Sequence, residues 1–193
     1  MPDSSTGGYL VPAAPTPPVE DAALDAIFQA MIVGLTGLPG NMVRPRWQPV
    51  VPVQPDPSTN WCAIGITDID PDANPFMMHN GAGQASDTML RHEVIKLAVS
   101  FYGPNAMQYA AQARDGLYVS QNHAMLTANN MGLVRADRMT PAPELVNQQW
   151  VRRFDFDITI RRQVARTYNV LNVLSAEGTV DYDPRTIPFS VTD

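Results

Sequence analysis

Proline decides where this chain can pair with itself. Pro39, Pro45, Pro49, Pro52, Pro55 and Pro57 crowd one internal segment. Proline fixes φ and has no N–H to give to a ladder, so this segment cannot be a central strand. It is expected to be an extended crossing or an edge strand, running from Leu38 to about Ser58. Proline is also dense at both ends, in Ala14-Pro15-Thr16-Pro17-Pro18 and at Pro184 and Pro188. Such stretches bury too little apolar surface to offset the entropy of ordering them. Residues 1–19 and 181–193 are therefore expected as extended arms, the first disordered in the free chain, flanking a single domain over 20–180.

Within that domain the periodicity is readable. Leu24, Ile27, Phe28, Met31, Ile32 and Leu35 make one apolar helical stripe. Glu20, Asp21 and Asp25 put negative charge at its N-terminal end, and Gly37 and Pro39 stop it. Trp61–Ile66 and Ile95–Phe101 alternate as strands, and residues 68–86 between them read as a long polar loop. Pro104 opens a helix to about Arg114, and a second short helix is expected over roughly 119–130, closed by Gly132. A short strand is expected over Leu133–Met139. Phe154, Phe156, Ile158 and Ile160 alternate with Asp155, Asp157, Thr159 and Arg161, the clearest strand in the chain, with Tyr168–Ser175 expected as its hairpin partner. This order gives an α+β fold, a mostly antiparallel sheet with helices packed on one face.

Composition narrows the function. The formal charge is -6 over 193 residues, against the basic face a duplex-DNA reader normally carries. Lys96 is the only lysine, and every other cationic side chain of the Lys/Arg pair is arginine. That bias suits protein interfaces, although a GC-rich genome would also produce it. Two Arg/Trp clusters are interface candidates: Arg44, Arg46 and Trp47 in the proline-rich crossing, and Trp150, Arg152 and Arg153 at the start of the longest strand. Trp47 could instead simply cover the first helix. Cys62 is the only cysteine, so no intrachain disulfide forms. No stretch has the apolar length of a membrane span, and the N-terminus lacks the pattern of a signal peptide. A soluble protein assembled in a cytoplasm, with no membrane contact, is expected.

No catalytic, cofactor-binding or metal site is expected. Asp68, Asp70 and Asp72 begin like a calcium loop, but Ala73 and His79 occupy the positions that need Gly and Glu. His79, His92 and His123 lie on separate elements without paired spacing. Gly37-Leu38-Pro39-Gly40 and Gly81-Ala82-Gly83 precede no Gly-Lys-Ser/Thr triplet. Ser120 and His123 have no nucleophile-elbow context. The helix pair over 104–130 has a glycine at its turn, as helix-turn-helix units do, but its second helix carries no Arg or Lys.

The run Val99-Ser100-Phe101-Tyr102-Gly103-Pro104-Asn105-Ala106, followed by Ala110, Gly116-Leu117 and Leu126, resembles the tailed-phage neck and tail terminator proteins. So do Gln149-Trp150-Val151-Arg152-Arg153-Phe154-Asp155 and the strand Asn60-Trp61-Cys62-Ala63-Ile64-Gly65. The likeness covers most of residues 21–180. It implies a structural virion protein, made in the host cytoplasm, that forms a ring, commonly of six copies. Such a ring caps the tail tube, meets the head-completion proteins and lets DNA pass through its lumen without specific binding. A different head–tail connector, an adaptor or stopper, is the alternative, with a helix-turn-helix DNA binder behind it. Asp68, Asp70, Asp72 and Asp87, at the margins of a segment with no Lys or Arg between Asp68 and Asp87, are expected to border the channel or meet the tail tube.

Overall fold

The computed structural model describes residues 7–13, 18–50, 52–83, 85–146, 148–171, 175–182 and 185–192. The elements in chain order are α1 (Asp21–Thr36), β1 (Val43–Pro45), β2 (Trp61–Pro71), β3 (Phe76–Asn80), β4 (Ser86–Tyr102), α2 (Ala106–Gly116) and α3 (Ala124–Ala128). Then come β5 (Met131–Ala136), β6 (Thr140–Pro141), β7 (Glu144–Val146), β8 (Gln149–Val151), β9 (Arg153–Asn169), β10 (Ser175–Tyr182) and β11 (Arg185–Thr192). The chain divides into two compact units, one of residues 19–72 and 92–164, the other of 1–18, 73–91 and 165–193.

The first unit carries the main sheet, in the order β1-β2-β4-β9-β5. Only β1 runs parallel to its neighbour; β2 with β4 and β5 with β9 are antiparallel. Ser100 meets Arg153, Lys96 meets Asp157 and Glu93 meets Arg162, so β4 and β9 also run in opposite directions. The α+β reading of the sequence holds.

One face of the sheet is filled for the helices. Ile64, Ile95, Leu97, Val99, Phe101, Ile158 and Ile160 pack in one cluster with Leu24, Phe28 and Ile32 of α1 and Ala106, Ala110 and Ala113 of α2. The small alanines of α2 let it approach closely. Gln29 of α1 donates to the Val43 and Gly40 carbonyls, and Gln112 of α2 donates to the Leu35 carbonyl, so side chains satisfy backbone oxygens where the elements meet. Gly37, at φ 72, closes α1 in the left-handed conformation, as its position in the sequence predicts. Arg162 is the exception on this face. Its side chain is 5% exposed, lies 2.6 Å from Glu93, and donates to the Val19 carbonyl at 2.7 Å, anchoring the chain just before α1. Among the described residues no helix is long and apolar enough to cross a membrane.

In the second unit β3 pairs with the first residues of β4, from Phe76 opposite Leu90 to Asn80 opposite Ser86. Ala13 donates to the Thr167 carbonyl at 2.7 Å. β10 and β11 form a separate two-stranded sheet. Its register gathers the apolar side chains on one face, with Arg185 at its end. Ala176, Gly178, Val180, Ile187, Phe189 and Val191 share one face, while Ser175, Glu177, Thr179, Thr186, Pro188 and Ser190 lie on the other. Val180, Ile187, Phe189 and Val191 are all exposed.

Four expectations change. Residues 68–86 are not a loop: β2 continues to Pro71, past a bulge between Ile66 and Asp68, and β3 follows it along the same strand β4. The aspartates and prolines of 68–75 hid a ladder that needs only backbone groups. Tyr168–Asn169 end β9 rather than begin a hairpin partner for it, because the alternation of Phe154–Ile160 carries on through Arg162 and Val164. The expected helix over 119–130 is a 3-10 turn, Ser120–His123, and the five-residue α3. There Asn122 bonds the Gly116 carbonyl and a ring nitrogen of His123 bonds the Leu117 carbonyl, so side chains take backbone acceptors that a continuous helix would use. Finally, residues 185–192 of the expected C-terminal arm are a paired strand. Of the expected N-terminal arm, 7–13 and 18–19 have no regular structure, and 1–6 and 14–17, like 183, 184 and 193, lie outside the described residues.

The turn from β4 into α2 depends on Gly103. Its φ is 106, and a β-carbon there would come within 2.8 Å of the Asn60 side-chain oxygen, against the backbone of Thr59 as well. That same oxygen accepts from the Asn105 N–H at 2.8 Å. Gly103→Ala is expected to cost about 2 kcal/mol or more in chemical denaturation. Gly132→Ala, where a β-carbon meets nothing within 4 Å, is expected to change stability by less than about 0.5 kcal/mol.

Candidate protein interface

Filling one face of β2, β4 and β9 for the helices sends every second residue to the opposite face. There Trp61 and Tyr102, register partners on β2 and β4, stack with centroids 4.2 Å apart and planes 7° from parallel. The Arg44 guanidinium lies 5.9 Å from the centre of the Trp61 ring, and that of Arg153 lies 5.3 Å from Tyr102. Four adjacent strands, β1, β2, β4 and β9, thus each contribute one member of a cation–ring–ring–cation column. Stacked aromatic pairs contribute about 0.5–1.5 kcal/mol beyond burial, and exposed cation–π contacts about 0.5–1 kcal/mol each.

A buried hydroxyl braces the arginines. Ser100, 1% exposed, accepts from Arg46 at 2.5 Å and from Arg153 at 3.4 Å. Arg153 is further held by Asp155 at 2.8 Å and Glu144 at 3.4 Å. The hydrogen bond that Arg153 donates to Asp155 raises its pKa above the usual arginine value. Arg44 donates instead to the Asn41 and Val53 carbonyls. Trp47 is 71% exposed, with φ 56, and lies against Gly65 of β2; a β-carbon on Gly65 would come within 2.7 Å of its ring. Arg44, Arg46, Trp47, Trp61, Tyr102 and Arg153 line a cavity of about 530 Å³. Beyond Trp47 lies a second cavity of about 430 Å³, bordered by Glu20, Asp21 and Asp25. Burial, and then the charge of Asp21, raise the Asp25 pKa.

The two Arg/Trp clusters of the sequence are therefore divided differently in space. Arg153 joins Arg44, Arg46 and Trp47. Trp150 does not: it lies on β8 opposite Leu145 and is 73% exposed. Arg152 lies beside the β4–α2 turn, its carbonyl accepting from the Gly103 N–H and its guanidinium reaching the Pro104 carbonyl at 3.4 Å. Trp61, Ser100 and Tyr102 were missed. Their signal was parity, since each is one step out of phase with the Ile64, Val99 and Phe101 that mark the core. The acidic candidates separate too. Asp68 and Asp70 are on the exposed end of β2, Asp72 contacts His92 and Arg161, and Asp87 pairs with His79.

This is chemistry of contact. Broad aromatic surface and planar guanidinium groups bind another macromolecular surface, with little rotamer freedom left to lose. Among the described residues no His, Cys, Asp and Glu cluster is arranged to hold a metal ion. Cys62 is buried, and burial pushes its thiol pKa far up, which suppresses the reactive thiolate.

Burial also raises the Tyr102 pKa, with the Arg153 charge opposing it. A tyrosine that stays neutral in the fold while ionising in the unfolded chain binds the extra proton in the native state. Its contribution is intact below the ordinary tyrosine pKa and is lost as pH rises through the higher folded value. Absorbance titration of the phenolate is expected to show a late-ionising tyrosine that disappears in Tyr102→Phe.

The family model described as phage neck terminator protein matches residues 22–184, a span that holds all but the first three residues of the sheet-and-helix unit and the whole arginine–aromatic column. No curated protein matches the chain. With a match over most of its length, this chain belongs to the phage neck terminator protein family.

Proposed function

We propose that the protein is a ring-forming structural subunit of the phage neck, which closes the tail tube and joins it to the head-completion proteins around a passive channel for DNA. The observation that carries this reading is the family match over residues 22–184. The arginine–aromatic surface supports it, because a ring subunit must meet neighbours on more than one side and this surface has the composition of a binding hot spot. In this reading the ring holds six copies, and Arg44, Arg46, Trp47 and Arg153 meet a neighbouring chain. The net charge of -6 suits a conduit, since phosphate contacts multiplied around a ring would hold DNA in place. The five-residue α3 is too short to serve as a groove-reading helix.

Electron microscopy of particles carrying a tagged chain tests the placement. The tag is expected as a ring between head and tail, on the tail side, and the purified chain is expected to complement tail tubes rather than tailless heads. Complementation of heads alone would instead favour an adaptor or stopper. The free protein is expected to bind duplex DNA weakly at physiological salt. Tight binding in a salt-dependent gel shift would overturn the passive conduit.

A further inference from the structure

The arginine groove has cations to spare. Arg153 is matched by Asp155 and Glu144, but Arg44 and Arg46 bond only backbone carbonyls and the Ser100 hydroxyl, and among the described residues neither has a carboxylate partner. A guanidinium has five N–H donors, so both retain donors and a full charge for an incoming anion. The exposed indole beside them is already fixed by its seat on Gly65.

The same chain carries acids with the opposite lack. Asp68 and Asp70, at the far end of β2, are exposed, and among the described residues neither has a cation within salt-bridge distance. The edge of the strand is open there as well. β1 pairs only with Cys62, Ala63 and Ile64, and β4 takes the other side of β2 through Pro71. Asp68 and Asp70 lie two residues apart on the extended strand β2, and Arg44 and Arg46 flank Pro45, the last residue of β1.

Among the described residues no ion pair joins these aspartates to these arginines within one copy. We propose that the Arg44–Arg46–Trp47 groove of one copy receives the Asp68–Asp70 strand end of a second copy. The occupant is a second copy because it brings the complementary charges on an open strand edge. Donor and acceptor are different surfaces, so the contact is head-to-tail, the kind that closes a ring when the rotation between copies is a whole fraction of a turn. This rests on the ring reading and gives that ring its junction. It also reassigns Asp68 and Asp70, which lie on a strand edge, from channel or tube to the contact between copies.

Charge exchange tests it on the full chain. Variant A is Arg44→Asp with Arg46→Asp, and variant B is Asp68→Arg with Asp70→Arg. In sedimentation velocity at low salt the unaltered chain is expected to self-associate. A and B alone are each expected to lose at least about thirtyfold in affinity. An equimolar mixture of A and B is expected to recover assembly, since each variant then meets a partner of opposite charge on both sides. Circular dichroism confirms folding, and Asp68→Asn with Asp70→Asn provides a milder donor variant should B fail to fold. Ordinary assembly of A and B alone, or no recovery on mixing, overturns the junction while leaving a ring intact. An unaltered chain that remains monomeric at every concentration also overturns it, whereas loss of the ring reading itself would show in the particle images, as a chain not arranged around the neck.

Discussion

The two-residue period of β2, β4 and β9 is the constraint from which the rest follows. Once Ile64, Val99, Phe101 and Ile158 are committed to α1 and α2, backbone geometry leaves their neighbours no choice of side. Trp61, Ser100, Tyr102 and Arg153 are brought together on the other face by the demands of a core they do not join. A one-residue slip in any of these strands would expose isoleucine, and a slip in β9 would drive arginine into the apolar cluster. The register that stabilises the domain therefore also holds the arginine–aromatic surface, without separate scaffolding.

Within that surface small residues set the positions of large ones. Ser100 is short enough to be buried beneath two guanidinium groups and polar enough to accept from both. Gly65 leaves room for an indole to lie on the strand. Gly103 allows the chain to leave β4 and enter α2 at once, with Asn60 bonding the N–H of Asn105. On the helix side, the buried pair of Arg162 and Glu93 anchors the start of α1 through the Val19 carbonyl. A neck protein works as a structural part, and rigid side chains set by backbone geometry serve that purpose better than mobile ones.

The sequence made α1, the main strands and the α+β class legible because each has a long apolar repeat. It was less informative where stability comes from backbone pairing alone. Asp68–Asn80 looked like a loop because Asp68, Asp70, Pro71, Asp72 and Pro75 break its apolar alternation, although its carbonyls and N–H groups build ladders with β4. The site was half visible. Arg44, Arg46 and Trp47 stood out by residue type and Arg153 by its place at the head of a strand. That Arg153 joins them while Trp150 and Arg152 do not depends on which faces lie side by side, and strand order is not written in local periodicity. Trp61 and Tyr102 come together only through cross-strand register.

The hairpin of β10 and β11 has a consequence for the life of the free chain. Its apolar face, with Val180, Ile187, Phe189 and Val191 open to water, is joined by two outer strand edges, and a ribbon of this kind adheres to other apolar surfaces and unpaired strands without much discrimination. The family match ends at residue 184, before β11 begins, so this chain carries a hazard that the shared span does not require. Its working lifetime before incorporation is then set by crowding: the more copies accumulate unused, the more of them are lost to unproductive clumps, and supply must be matched to the pace at which particles are finished.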